Sequence, residues 1–111
     1  MNYLRSLIKI NGKINFTPQF KRDYKKLKRK HYDTNKLKHV INLLVEEKFE
    51  ILAQKYDDHQ LKGSFKSMRA LHVEHNKAGN WVLVYKIHKG QLELLTIDLI
   101  STGSHNHSYR T

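Results

Sequence analysis

The first third of the chain carries apolar residues at the spacing of an α-helix. Phe20, Tyr24 and Leu27 fall at i, i+4 and i+7, which places them on one face of a helix. Thr17 and Pro18 come directly before this stretch. Threonine can cap a helix and proline suits its first position, so the pattern predicts a helix that begins at Pro18 and buries a narrow stripe.

A second helix is predicted after Asp33-Thr34-Asn35, which supplies residues that stop one helix and start the next. Its expected buried face has helical spacing and consists of Leu37, Val40, Ile41, Leu44 and Val45. This helix should fade near Glu47 to Glu50. From Ile51 to Gly63 the periodicity breaks, so this stretch is expected to form a loop.

The remaining pattern is that of β-strands. Short alternating runs flank Asn11-Gly12, a dipeptide that favours a hairpin turn, and the second run predicts a strand at Ile14 to Phe16. Later strands and turns are expected at Ser64 to Glu74, Ala78-Gly79-Asn80, Trp81 to Ile87, Lys89-Gly90 and Leu92 to Ile100. Strands joined by short turns pair antiparallel. The order predicts an α+β fold in which two N-terminal helices pack on one face of a mainly antiparallel sheet.

The length of 111 residues leaves room for one domain. We expect it over residues 14–111, with residues 1–13 as an N-terminal extension that could add a hairpin strand. No apolar run is long enough for a membrane span, and the first residues lack the pattern of a secretory signal. The absence of cysteine excludes disulfides and thiolate chemistry and is compatible with the cytoplasm, where we expect the protein.

Charge indicates the kind of partner. The chain has 21 Lys and Arg residues against 10 Asp and Glu residues, a formal net charge of +11, which favours a polyanion or an acidic protein. Seven cations lie on the first predicted helix or at its end, beside a single acid, Asp23: Lys21, Arg22, Lys25, Lys26, Lys28, Arg29 and Lys30. This face is predicted to contact RNA. The alternative is a solvated helix surface.

Three histidines stand near cationic residues later in the chain. They are His59, His72 and His105, with Lys62, Lys66, Arg69 and Arg110 as candidate phosphate ligands. Imidazoles exchange protons near neutral pH, and cations bind phosphates. Metal-free RNA cleavage needs a base for the 2′-hydroxyl proton, cations for the charged phosphorane and an acid for the leaving 5′-oxygen. The set therefore predicts chemistry on RNA, and we expect no cofactor.

The spacing of these candidates leaves alternatives open. Arg69 and His72 are three residues apart, so a shared strand would put them on opposite faces. His72 could instead be a hydrogen-bonded strand histidine, and His105 a surface residue of the tail. Trp81 opens an alternating apolar strand, for which packing in or beside the core is the better interpretation.

Several blocks of sequence, in order, resemble bacterial type II toxins of the RelE/ParE superfamily, closest to its YafQ branch. They are DHQLKGSFK (58–66), RALHVE (69–74), NWVLVY (80–85) and TGSH (102–105), and the resemblance covers roughly residues 14–109. It implies a small toxin that cleaves mRNA in the ribosomal A site without a metal and inhibits translation. It also implies a cognate antitoxin, an acidic, DNA-binding protein similar to DinJ or RelB.

The resemblance also assigns roles to positions. The family's active-site histidines fall on His59, His72 and His105, and the aromatic that stacks on a base falls on Tyr109. Two positions depart from the family, since Asn80 replaces an acidic residue and Ser101 replaces an arginine. His75 lies in a short insertion and could take over from the missing acid.

Two other classes of protein stay open. A ParE-like toxin, which poisons DNA gyrase by binding, shares the fold but needs no cluster of histidines. A catalytically weakened relative that binds RNA would fit the departures at Asn80 and Ser101. Cuts in register with the codons of a reporter mRNA would separate the endoribonuclease from both.

Overall fold

The computed structural model describes residues 14–76, 79–88 and 91–101. Its elements, in chain order, are β1 (Ile14–Phe16), α1 (Pro18–Arg29), α2 (Thr34–Val45), α3 (Phe49–Tyr56), β2 (His59–Gln60), a 3₁₀ turn (Gly63–Phe65), β3 (Arg69–Asn76), β4 (Gly79–His88) and β5 (Gln91–Ser101). Helices packed on a mixed sheet confirm the predicted α+β fold. The expected extension at residues 1–13, with its hairpin, lies outside the described residues.

Helix α1 begins where the sequence predicts. Thr17 is extended (φ −67°, ψ 157°), its hydroxyl oxygen accepts the Phe20 N–H at 3.1 Å, and Pro18 occupies the first helical position. The same hydroxyl donates to the Leu95 carbonyl oxygen at 2.7 Å, which ties the start of the helix to β5. The predicted stripe of Phe20, Tyr24 and Leu27 is buried.

Helix α2 forms as predicted, but the prediction of a loop from Ile51 to Gly63 is wrong in its first part. The Asp33 carboxylate caps α2 by accepting the Asn35 N–H at 3.0 Å. A third helix, α3, then occupies part of the expected loop. Leu52 is its fully buried residue, and one buried residue in so short a helix leaves no apolar stripe for a sequence pattern to reveal. In the described part of the chain, no helix is long and apolar enough to cross a membrane.

The sheet has the strand order β1-β5-β4-β3-β2, in which β1 is parallel to β5 and the other neighbours are antiparallel. The meander of β3, β4 and β5 confirms the three predicted strands, with two corrections at their ends. Strand β3 begins at Arg69 rather than at Ser64, because the 3₁₀ turn comes first and starts at Gly63 with φ +65°, a conformation that favours glycine. Gly79 and Asn80, expected in a turn, belong to β4.

The two faces of the sheet are covered differently. On the helix side, the helices and the sheet share one hydrophobic core. Its fully buried members include Phe20, Leu27, Leu37, Ile41, Leu52, Leu71, Leu83, Tyr85 and Leu94. The other face carries a smaller cluster of Leu61, Ala70, Val82 and Val84, with Phe65, Met68 and Leu95 packed against it. No residue of α1, α2 or α3 belongs to that cluster, and we call this second face the open face.

A buried carboxylate holds α1 against the edge of β5. Asp23 Oδ2 accepts the Ile97 N–H at 2.8 Å and the Thr96 hydroxyl, and its Oδ1 accepts a Gln19 Nε2–H at 2.8 Å. Strand β1 pairs with β5 only as far as Leu94, so the edge beyond it needs another acceptor. Asp23, which the sequence analysis counted only as the one acid of a basic helix, supplies that acceptor.

Candidate active site on the open face

His59 and His72 come together on the open face. His59 pairs with Ala70 across β2 and β3, and His72 lies two residues further along β3, so alternation puts both imidazoles on the face of Ala70. The ring centroids are 6.2 Å apart and the ring planes are inclined by 27°. Two of the three histidines singled out from the sequence therefore share one site, and their catalytic role stays a prediction.

Asp57 contacts both histidines. Its carboxylate oxygen Oδ2 lies 3.4 Å from His72 Nε2, and its backbone carbonyl oxygen lies 2.7 Å from His59 Nδ1. Asp57 ends α3 in the left-handed conformation (φ 52°, ψ 41°), and the next N–H, that of Asp58, donates to the Leu52 carbonyl at 3.1 Å, which closes the end of the helix. The sequence analysis placed Asp57 in a loop and gave it no role, because contact with His72 depends on the end of a helix that its pattern did not reveal.

Asp58 links the end of α3 to the helix-side core. Its side chain is only 3% exposed, its Oδ2 pairs with Arg69 Nη2 at 3.0 Å, and its Oδ1 accepts the Tyr85 hydroxyl. Burial raises the pKa of Tyr85 well above its usual range, and the hydrogen bond to Asp58 raises it further. Burial alone would lower the pKa of Arg69, but the hydrogen bonds to Asp58 and Tyr85, together with the charge interactions with the same residues, outweigh it and the net change is a rise. The network fixes the residues on either side of Asp58 to the sheet.

Arg69 and His72 lie on opposite faces of β3, as their spacing predicts. Arg69 pairs with Tyr85 of the helix-side core, and His72 pairs with Val82 of the open-face cluster. Because Asp58 already binds the guanidinium, the expected phosphate contact of Arg69 has to compete with this ion pair.

The other predicted cations are at the surface. Lys62 and Lys66 are exposed on either side of the 3₁₀ turn, whose Phe65 packs against the open-face cluster. The cations of α1 and its end are all exposed as well: Lys21, Arg22, Lys25, Lys26, Lys28, Arg29 and Lys30. Their role in binding RNA stays a prediction.

The remaining predicted positions are described only in their backbone or not at all. In the register of β3 and β4, Asn80 lies directly opposite His75. Ser101, the last residue of β5, lies opposite Gly79. Three predicted site residues fall outside the described residues, namely His105, Tyr109 and Arg110.

Two further residues lie on opposite faces of the sheet, Trp81 in the helix-side core and Asp98 on the open face. Trp81 is 1% exposed and contacts the Tyr32 ring at 5.3 Å between centroids, which confirms its place in the core. Asp98 pairs with Val82, which pairs with His72, so these three residues form a row across the open face. The sequence analysis missed Asp98, because its position in the row depends on a strand register that the sequence does not reveal. Within the described ranges, no three His, Cys, Asp or Glu residues are grouped to hold a metal ion.

A histidine pair on the open face of a small α+β domain agrees with the class that the sequence resemblance implies, the toxins of type II toxin–antitoxin systems. A family profile for the bacterial toxin of type II toxin-antitoxin system, YafQ, matches residues 12–109. The match spans nearly the whole chain. The chain therefore belongs to the YafQ family.

Relatives in Escherichia coli agree with this assignment. The chain is 37% identical over 78 residues to the mRNA interferase toxin YafQ of strain K12, a match that covers 70% of this chain and 79% of the relative. The crystal structure of YafQ from strain BL21(DE3) superposes with a TM-score of 0.68 at 34% identity, over 78% of this chain and 90% of that one. The crystal structure of the E. coli DinJ-YafQ toxin-antitoxin complex matches with a TM-score of 0.67 at 34% identity, over 78% and 89%.

Proposed function

We propose that this protein is an mRNA interferase, a toxin that cuts mRNA in the ribosomal A site and thereby inhibits translation. The observation that carries the proposal is the pair of His59 and His72, 6.2 Å apart on the open face. The E. coli relative is named an mRNA interferase toxin, which supports the same activity here. The corresponding location is the cytoplasm, where ribosomes translate.

The proposed reaction uses the 2′-hydroxyl of the RNA as nucleophile and needs no metal. A neutral histidine takes the hydroxyl proton while the 2′-oxygen bonds to the adjacent phosphorus. The bond from phosphorus to the 5′-oxygen breaks, and a protonated histidine gives its proton to that oxygen. The products are a 2′,3′-cyclic phosphate and a 5′-hydroxyl. We assign the two roles to His59 and His72, whose ring centroids are 6.2 Å apart, and His105 is a third candidate from the sequence resemblance.

Reporter mRNA tests the proposal directly. The toxin is induced in cells, and primer extension on the reporter is expected to map cuts in register with its codons. His72→Ala should lower cleavage by about 10²-fold, the usual contribution of a general acid or base. His39→Ala is the matched control, because His39 is exposed on α2 and its ring lies against Tyr56. Growth arrest with intact mRNA and trapped gyrase would support a ParE-like toxin instead.

The basic face of α1 is proposed to bind ribosomal RNA. Contacts between cations and phosphates release counterions, so affinity should fall steeply with salt. Reversing two charges in Lys25→Glu with Lys28→Glu should weaken ribosome binding and lower its salt dependence without moving the cut. Lys48→Glu with Lys55→Glu, an equal change at other exposed positions, should have a smaller effect. Equal losses of ribosome binding in the two double variants would mean that net charge, rather than the basic face of α1, causes the effect.

A cognate antitoxin is the second proposed partner. The E. coli toxin has been crystallised with DinJ, and the charge of +11 favours an acidic protein. We expect an acidic, DNA-binding antitoxin similar to DinJ. Co-expression of such a protein should restore growth and should yield a stable complex on purification.

A weaker enzyme is the second candidate function, and Asn80 is the observation that favours it. The pair Asn80→Asp and Ser101→Arg should then raise the single-turnover rate, because arginine can clamp a phosphate with two hydrogen bonds and serine cannot. His75 lies opposite Asn80 in the register. If His75 has taken over the missing role, His75→Ala slows cleavage and the restored pair gains nothing.

A further inference from the structure

Asp57 contacts both site histidines in different ways: its backbone carbonyl faces His59 and its carboxylate faces His72. We infer that Asp57 is a positioning residue for the histidine pair, whose carbonyl fixes the tautomer of His59 and whose carboxylate holds the proton of His72. The consequence for RNA cleavage rests on the proposed function, whereas the two contacts do not.

The contact with His59 determines which ring nitrogen carries the hydrogen. A carbonyl oxygen only accepts hydrogen bonds, so the 2.7 Å contact to the Asp57 carbonyl requires a hydrogen on His59 Nδ1. In the neutral ring, Nε2 then holds the lone pair. This is the state in which His59 can take the proton of a 2′-hydroxyl.

The contact with His72 favours the opposite state. A carboxylate 3.4 Å from Nε2 stabilises the protonated imidazole, which is the form that can protonate a leaving oxygen. Among the described residues, the other titratable groups on the face of His72 are His59 from β2 and Asp98 two strands away, with the neutral Val82 between. A charge on His59 opposes the effect of Asp57 and the Asp98 carboxylate reinforces it. Bound RNA would displace water and strengthen the attraction.

The fold itself does not require this carboxylate. The Asp57 side chain is 63% exposed, and exposed ion pairs add little to stability. What the end of α3 requires is a residue that tolerates φ 52°, and asparagine does so readily. Asp57→Asn therefore removes the charge while keeping the turn and the backbone carbonyl.

Titration of the His72 ring, followed by NMR in the free protein, tests the inference without RNA. Asp57→Asn should lower the midpoint by about half a pH unit, a modest shift because the pair is exposed. Glu47→Gln is the matched control, since Glu47 is also exposed and left-handed (φ 57°) but precedes α3, at the opposite end from Asp57. An unchanged midpoint in Asp57→Asn overturns the inference.

Cleavage by programmed ribosomes tests its consequence. Asp57→Asn should slow single-turnover cleavage by about tenfold, the lower end of what outer partners of functional histidines contribute. The alkaline limb of its pH profile should move to lower pH, and in a His72→Ala background the substitution should cost nothing more. Normal cleavage by Asp57→Asn overturns the inference alone. A wild type that never cleaves overturns the proposed function, and the titration then decides the inference.

Discussion

The helix side of the sheet and the open face bury very different amounts of apolar surface. On the helix side, Leu71, Leu83 and Leu94 lie fully buried beneath three helices. On the open face, the described residues form a cluster of only four buried side chains, beside which the histidine pair lies. Because apolar burial dominates folding free energy, we expect the helix side to supply most of the stability and the open face to supply the chemistry.

The largest expected effect compares one leucine from each face. Leu83→Ala should lower the free energy of unfolding by about 2–5 kcal/mol, since it leaves a cavity in a closely packed core. Leu61→Ala, 2% exposed in the open-face cluster, should cost clearly less because the segment around it can collapse into the space. Urea unfolding of both variants measures the difference.

Equal losses for the two leucines would contradict the comparison. They would mean that the open-face cluster packs as rigidly as the helix-side core. Cleavage by Leu61→Ala adds a second test, since Leu61 packs in one cluster with Phe65 of the 3₁₀ turn, which Lys62 and Lys66 flank. A slower reaction with nearly normal stability would agree with the division between the faces.

The next effect concerns the polar link between α1 and β5. Asp23→Ala should cost about 2–3 kcal/mol, because it leaves the Ile97 N–H without its acceptor and removes hydrogen bonds to a charged group. Hydrogen exchange at Ile97 should speed up. Gln19→Ala removes one donor to the same carboxylate and should cost at most about 1 kcal/mol. Equal costs would mean that Gln19, rather than the edge of β5, explains why the acid is buried.

The helix side could largely be predicted from the sequence. Thr17 and Pro18 marked the start of α1, and the face of Leu37, Val40 and Ile41 marked α2, because apolar periodicity and capping are local signals. Helix α3 escaped prediction because only Leu52 is fully buried in it. Asp23 was misjudged for a related reason, since its partners Thr96 and Ile97 are more than 70 residues away in sequence.

The candidate site could be predicted only in part. His59 and His72 were found because imidazole chemistry and the family resemblance both single out histidine. Asp57 and Asp98 were missed, because the first depends on the left-handed end of α3 and the second on the register of β4 and β5. Side chains that act through a neighbouring strand or a helix end leave no spacing in the sequence, so their contacts need the folded structure.

A smaller effect is expected where the two faces are connected. Tyr85→Phe removes the hydroxyl that donates to the buried Asp58 and should cost about 1–2 kcal/mol. The folded pKa of Tyr85 is raised above its ordinary 10.0, so its contribution is fully present below pH 10 and is lost as pH rises above that value.

Unfolding experiments above pH 10 therefore separate the wild type from Tyr85→Phe. One proton retained by the folded state makes the wild-type stability fall by up to about 1.4 kcal/mol per pH unit relative to the variant. Tyr32→Phe is the control, because Tyr32 is 38% exposed. Parallel pH curves for the wild type and Tyr85→Phe would show that the Asp58 contact does not depend on the tyrosine proton.

The smallest effect is expected at the ion pair between Lys36 of α2 and Glu74 of β3. The pair is short, 2.8 Å, but its side chains are 47% and 30% exposed. The hydrogen bond to Glu74 raises the pKa of Lys36 above 10.5, so any stabilisation is present below that value and is lost above it. An exposed ion pair adds little stability, because its two side chains are also well hydrated when they are apart. Lys36→Gln should therefore leave the urea midpoint at pH 7 and the cleavage rate unchanged. A clear fall of the midpoint with an unchanged slope would mean that surface charge, and not burial beneath α2, holds the helix layer on the sheet.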